Sequence, residues 1–303
     1  MATIEIQALT KRFGSIDAIH DVSFQVKSGE VFGFLGPNGA GKSTTINILL
    51  DFARRTAGEV FVFGYDLQED PRAVRERLGV LPEASGFYRR DTALDHLRFV
   101  IAMKRADNDP AELLERVGIA YAAERRVGEF SAGMRQRLGS AIALVGSPDL
   151  LILDEPLGGL DPDGARILRE IVREERDRGT AVFFSSHIID QVEAICDRVG
   201  IMHGGELIAV DTVDALQART ETSATLIVSV ESTPDDIGSR LTGIEGIESV
   251  TARNGTLRIA YTDPTAKATV ITRLNTAEAT IEDVTTNETS LEQVFTSITG
   301  GRS

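Results

Sequence analysis

The feature that most limits what this chain can become is a nine-residue loop, Gly36-Pro37-Asn38-Gly39-Ala40-Gly41-Lys42-Ser43-Thr44. It fits the pattern G-x-x-x-x-G-K-[ST]. A short apolar stretch, Val31–Leu35, runs into it, and residues 42–52 read as a helix leaving it. A strand that turns through glycines straight into a helix can aim several backbone N–H groups at one point. The helix N-terminus adds a dipole that favours anions. Lys42 stands where an ammonium reaches β- and γ-phosphates, and Ser43 where a hydroxyl ligates Mg²⁺. The loop therefore predicts a phosphate cradle in an α/β protein.

The surrounding pattern agrees. Residues 3–9 and 19–26 alternate apolar and polar side chains and read as strands. Residues 92–104, 110–117 and 135–145 carry apolar faces at helical spacing, and residues 150–153 and 180–185 are apolar runs of strand length. Strands alternating with helices predict a mostly parallel sheet. The helix-rich stretch at about 85–145 interrupts that alternation as an inserted helical subdomain.

Near Thr220 the chain changes character, with few basic residues and many Thr, Glu and Asp beyond it. Residues 224–230 read as a strand, and Thr233-Pro234 as a helix start. Arg253-Asn254-Gly255 falls between strand-like segments 247–252 and 256–261, a hairpin signal. A helix near 264–275, a strand near 279–285 and a helix near 289–298 complete the reading. Residues 1–219 and 220–303 are thus expected as two domains, the second a small α+β module without a chemical motif.

Two further segments bear on the phosphate loop. Leu150-Leu151-Ile152-Leu153 ends in Asp154-Glu155. Asp154 is placed to hold Mg²⁺, and Glu155 to orient or deprotonate an attacking water. Phe130-Ser131-Ala132-Gly133-Met134-Arg135-Gln136 precedes a helix. Ser131 can cap it, and its N-terminus offers a second anion site.

Bulk properties narrow the class. Across 303 residues, 42% are hydrophobic and 26% charged, which suits a folded globular chain. No apolar run approaches the roughly 18–20 residues that span a bilayer. The net charge of −14 disfavours broad nucleic-acid binding. One cysteine, Cys196, permits no internal disulfide and reads as a small buried residue.

Taken in order, the loop at 36–44, the 130–136 segment, Asp154-Glu155, Gly159-Leu160-Asp161-Pro162 and His187 resemble the nucleotide-binding subunit of an ATP-binding cassette (ABC) transporter. The resemblance covers about residues 3–215. It implies a P-loop NTPase fold: a RecA-like core with an antiparallel β subdomain and the inserted α-helical subdomain. It implies binding and hydrolysis of ATP with Mg²⁺. Phe13 matches the aromatic that stacks on adenine, Asp161 the loop facing the dimer interface, and His187 the histidine that contacts the γ-phosphate. A head-to-tail homodimer, or a pair of ATPase subunits, is implied, in which Ser131 and Gly133 of one copy meet the nucleotide held by the other. Separate membrane permease subunits are implied as partners, with this chain peripheral on the cytoplasmic face. Glu83 stands where the family usually has glutamine, as a candidate ligand of Mg²⁺ or its water. Gly79-Val80-Leu81-Pro82-Glu83, Phe130-Ser131-Ala132-Gly133-Met134 and Ser290-Leu291-Glu292-Gln293-Val294-Phe295 are similar to an exporter subgroup with a C-terminal extension. In that family a permease helix docks near 83–92, which includes Phe87 and Tyr88. The alternatives are a non-transport ABC ATPase, in DNA repair or translation, and an ATP-dependent regulator without turnover.

Overall fold

The computed structural model describes residues 2–218, 224–232, 237–253, 255–277 and 279–287, together with Leu291, Glu292 and Phe295. The chain separates into two compact units, Met1–Val213 and Asp214–Ser303. The division falls six residues before the compositional shift at 219/220.

The first unit begins with a long hairpin, β1 (Ala2–Phe13) and β2 (Ile16–Lys27), each strand longer than its alternating core suggests. After β3 (Val31–Leu35) and α1 (Lys42–Leu49) come β4 (Ala57–Val62) and β5 (Tyr65–Asp66). These complete an antiparallel sheet of order β2-β1-β4-β5. Helix α1 stops short of the expected residue 52. Asp51 turns left-handed at φ 58°, and the N–H groups of Phe52 and Ala53 fold back onto the Asn47 carbonyl.

Next come α2 (Pro71–Arg75), β6 (Leu78–Leu81), α3 (Ala93–Lys104), α4 (Pro110–Arg116) and α5 (Ala132–Ala143). Thr92 caps α3 through a reciprocal box with Asp95, and Asp109 caps α4 ahead of Pro110. Helix α5 begins three residues earlier than its apolar face suggests, because Ser131 caps it through the Met134 N–H at 3.2 Å.

The remaining elements are β7 (Leu150–Asp154), α6 (Pro162–Asp177), β8 (Ala181–Ser186), α7 (Ile189–Glu193), β9 (Arg198–His203), β10 (Glu206–Thr212) and α8 (Val213–Ala218), which straddles the division. The second sheet has the order β10-β9-β3-β8-β7-β6. Its pairings are parallel except for edge strand β10. Every residue of β3, β7 and β8 is buried, as expected of strands covered on both faces.

The two sheets of this unit meet across an aromatic cluster. Phe24 of β2 packs on Phe32 and Phe34 of β3 and on Phe183 of β8, with ring centroids 5.1–5.9 Å apart. The helical insert is fastened to the rest by polar ties. Lys104 at the end of α3 donates to the Leu78 and Val145 carbonyls at 2.8 and 2.9 Å. Arg116 in α4 pairs with Glu174 and the buried Glu175 of α6, each at 2.8 Å.

The second unit runs β11 (Ala224–Ser232), α9 (Ile237–Thr242), β12 (Ile247–Arg253), β13 (Thr256–Tyr261), α10 (Ala266–Thr276) and β14 (Thr280–Asn287). Its sheet has the order β12-β13-β11-β14, the split β-α-β arrangement of ferredoxin-like folds. Alternate residues of β11 and β13, including Leu226, Val228, Leu257 and Ile259, pack with Ile237, Leu241, Val270 and Leu274 of the helices. Arg253 pairs with Thr256, so the two strands of the expected hairpin are present in antiparallel register; Asn254 lies outside the described residues. Thr233-Pro234 lies outside the described residues, as do Ser290, Gln293, Val294 and most of the helix expected at 289–298.

Gly79 shows how tightly the core meets the insert. A Cβ there would stand 2.1 Å from the Ala143 carbonyl at the end of α5 and 2.7 Å from Leu151. Neither β6 nor α5 can yield without loosening the other. Gly79→Ala is expected to cost about 2–3 kcal/mol, read as a lower midpoint in chemical denaturation with an unchanged slope.

Candidate nucleotide site

Parallel pairing brings the ends of three strands side by side. Leu35 of β3 lies opposite Ser186 of β8, and Asp154 of β7 opposite Ser185. One edge of the sheet therefore gathers the loop after β3, Glu155 after β7 and His187 after β8.

The loop wraps a cavity of about 510 Å³, lined by Pro37, Asn38, Gly39, Gly41, Lys42, Ser43 and Thr44, with Glu83 and Glu155 facing it. Gly39 and Gly41 take φ of 82° and 105°, the left-handed region that side chains disfavour. Gly36 is fixed by space instead, since a Cβ would stand 2.6 Å from the Met202 carbonyl. Lys42 is buried and donates to the Gly36 and Pro37 carbonyls at 2.6 and 3.2 Å. Burial lowers the pKa of its ammonium, against the pull of Glu155, Asp154 and Glu83.

Glu155 is the junction. Its Oε1 lies 2.9 Å from His187 Nδ1 and 3.9 Å from Lys42 Nζ. Ser186 Oγ lies 3.4 Å from its Oε2. Asp154 is buried, and its Oδ1 accepts from the Ser185 hydroxyl at 2.5 Å. Burial raises the Asp154 pKa above the usual carboxylate range; Glu83 adds to the rise, and Ser185 and Lys42 oppose it. A serine hydroxyl and carboxylates form a hard oxygen donor set of the kind Mg²⁺ selects.

The remaining expected residues are placed differently. Phe13 ends β1 half exposed, with Lys11 Nζ 4.5 Å from its ring centre. The cavity wall on that side is made by Ile16, Asp17 and Ala18 rather than Phe13. Ser131, Gly133 and Asp161 also stand outside the cavity lining. Ser131 and Asp161 act locally as helix caps, the latter accepting from the Gly164 N–H at 2.8 Å. That bond, and then Arg137, hold the Asp161 pKa below its ordinary value. Residues not anticipated from sequence are Ser185 and Ser186, which engage the two carboxylates, and Gly204 and Gly205, which close the cavity. A pair of serines ending an apolar strand immediately before His187 was the available signal. Cys196 is buried against β3 and burial raises its thiol pKa, as a structural cysteine requires.

A phosphate loop at the end of a buried parallel strand, flanked by two carboxylates and a histidine, defines a nucleotide-binding P-loop cassette. The ABC transporter family profile matches residues 19–158. A bacitracin transport ATP-binding protein of Bacillus licheniformis is 40% identical over 220 residues, 71% of this chain and 72% of its own. A linearmycin resistance ATP-binding protein of Bacillus subtilis is 31% identical over 98% of both chains. A fluoroquinolones export ATP-binding protein of Mycobacterium tuberculosis is 33% identical over 98% of this chain and 93% of its own. Among solved structures, an ATP-binding subunit of an ABC transporter superposes with a TM-score of 0.67 at 30% identity, covering 72% of this chain and 92% of that one. The chain belongs to the ABC transporter ATP-binding proteins.

The site's electrostatics oppose stability. A raised folded-state pKa means the ionised Asp154 penalises the fold at neutral pH, and the penalty vanishes below the pKa of the unfolded chain. Without nucleotide, Asp154→Asn is therefore expected to melt higher than wild type at pH 7. The gap should close as the pH is lowered through the carboxylate range, followed by thermal melts across a pH series.

Proposed function

We propose that this chain is an ATP-hydrolysing subunit that powers export through separate membrane permease subunits. The carrying observation is the meeting of Lys42, Glu155 and His187 at the phosphate loop, with Glu155 Oε1 2.9 Å from His187 Nδ1 and 3.9 Å from Lys42 Nζ. In this reading Gly36–Thr44 bind the ATP phosphates through backbone N–H groups, and Lys42 leaves its loop carbonyls for the β- and γ-phosphate oxygens. Glu155 orients and deprotonates the attacking water. His187 holds Glu155 and contacts the γ-phosphate. Ser43, Asp154 and Glu83 would hold Mg²⁺, which supplies charge neutralisation on the phosphates when bound.

Adenine would pack along the wall at Ile16–Ala18, where Phe13 pairs with Ile16 across the hairpin. Ser131 and Gly133, at the α5 N-terminus and outside the cavity, are available to complete the site of a second copy. The relatives' names support export as the direction of transport; the chain's own cargo is chosen by its permease. Among the described residues no helix is long and apolar enough to cross a membrane, which fits a subunit that acts through membrane partners at the cytoplasmic face.

Glu155→Gln is expected to lower ATP turnover by about 100-fold or more while nucleotide binding persists, and to accumulate an ATP-bound dimer in sizing experiments. Turnover near the wild-type rate would remove Glu155 from this role. For the partner, Tyr88 is 73% exposed, and Phe87 is held edge-on to His96 at 5.5 Å. Alanine at both positions should abolish transport by the assembled complex while ATP binding survives. Undiminished transport would place the permease contact elsewhere.

A further inference from the structure

Glu155 sits in an unusual backbone conformation, φ 47°, which a non-glycine residue keeps only when its surroundings impose it. Its N–H donates to Ser185 Oγ at 3.1 Å, and its carbonyl accepts from the Gly158 N–H at 3.0 Å. The next segment of chain, residues 156–161, is fastened to the first two turns of α5.

Two side-chain hydrogen bonds and the close approach of two glycines make the fastening. Gln136 Nε2 donates to the Pro156 carbonyl at 3.0 Å. The Arg137 guanidinium pairs with Asp161 Oδ1, the oxygen that also caps α6. A Cβ on Gly133 would stand 3.1 Å from the Gly159 carbonyl, and one on Gly159 would touch Ala132 at 3.7 Å. The guanidinium reaches its place because Gly164 has no side chain; a Cβ there would stand 2.8 Å from Arg137 Nη2. Arg137 is 15% exposed and Asp161 63%, so the pair is open to solvent on its carboxylate side and acts by fixing geometry more than by charge.

We propose that Gln136 and Arg137 are positioning residues that lock residues 156–161, and through them Glu155, to the helix that Ser131 opens. The proposal rests on the hydrolytic role of Glu155.

The test uses the full chain, with ATP turnover, affinity for a fluorescent ATP analogue and melting temperature measured together. Gln136→Glu keeps length but loses the donor, Arg137→Ala removes the cation, and Arg137→Lys keeps charge without the planar fork. Gln136→Glu and Arg137→Ala are expected to lower kcat by about 10- to 100-fold, with analogue affinity held within about threefold. Arg137→Lys should recover part of the loss. The double variant should lose little more than the worse single variant, because both side chains hold one segment. Wild-type kcat in Gln136→Glu and Arg137→Ala would overturn the proposal, and so would losses matched by equal losses of affinity or melting temperature. If Arg137→Ala does not fold, Gln136→Glu and Arg137→Lys decide by the same criteria. Glu155→Gln run alongside separates the two readings. If it turns over normally, the hydrolytic role fails; if it is inactive while the Gln136 and Arg137 variants are normal, the brace alone fails.

Discussion

The register of three parallel strands governs everything else in the first unit. With Leu35 opposite Ser186 and Ser185 opposite Asp154, the phosphate loop, the two carboxylates and His187 leave the sheet at one level. A slip of one residue would turn each strand's inward side chains to the other face. It would also part Asp154 from Ser185 and Glu155 from His187. The register is held from below by burial on both faces and by the phenylalanine cluster that joins this sheet to the antiparallel one. The apolar core thus sets the positions of the charged groups at the strand ends.

That placement brings the site's charges into conflict with the fold. Lys42 is buried and pulled toward neutrality, while Asp154 is buried and pushed toward protonation beside Glu83. Lys42 is partnered by carbonyls of its own loop. A polyanion with a divalent cation, as the proposed function requires, would satisfy both signs at once.

Legibility in the sequence followed the range of the interactions. The phosphate loop was readable because its glycines answer to local geometry, and the cap at Ser131 because capping is set within three residues. Short strands β4, β6 and β9 were not, since a few apolar residues carry no period of their own and take their identity from neighbours in the sheet. Asp161-Pro162 carried an open helix-start signal that the interface reading overshadowed. The left-handed backbone of Glu155 and its braces from Gln136 and Arg137 were invisible, because the braces join positions 20 and 24 residues apart. No local rule foretells which polar side chain on a helix will find a distant carbonyl.

The second unit has a property set by its strand order alone. Thr225, near the start of β11, pairs with Asn287 at the end of β14. The chain thus comes into and leaves this sheet at adjacent points, and the module closes on itself. A self-closing module can be gained, lost or exchanged as one piece, since removing it leaves no severed sheet behind.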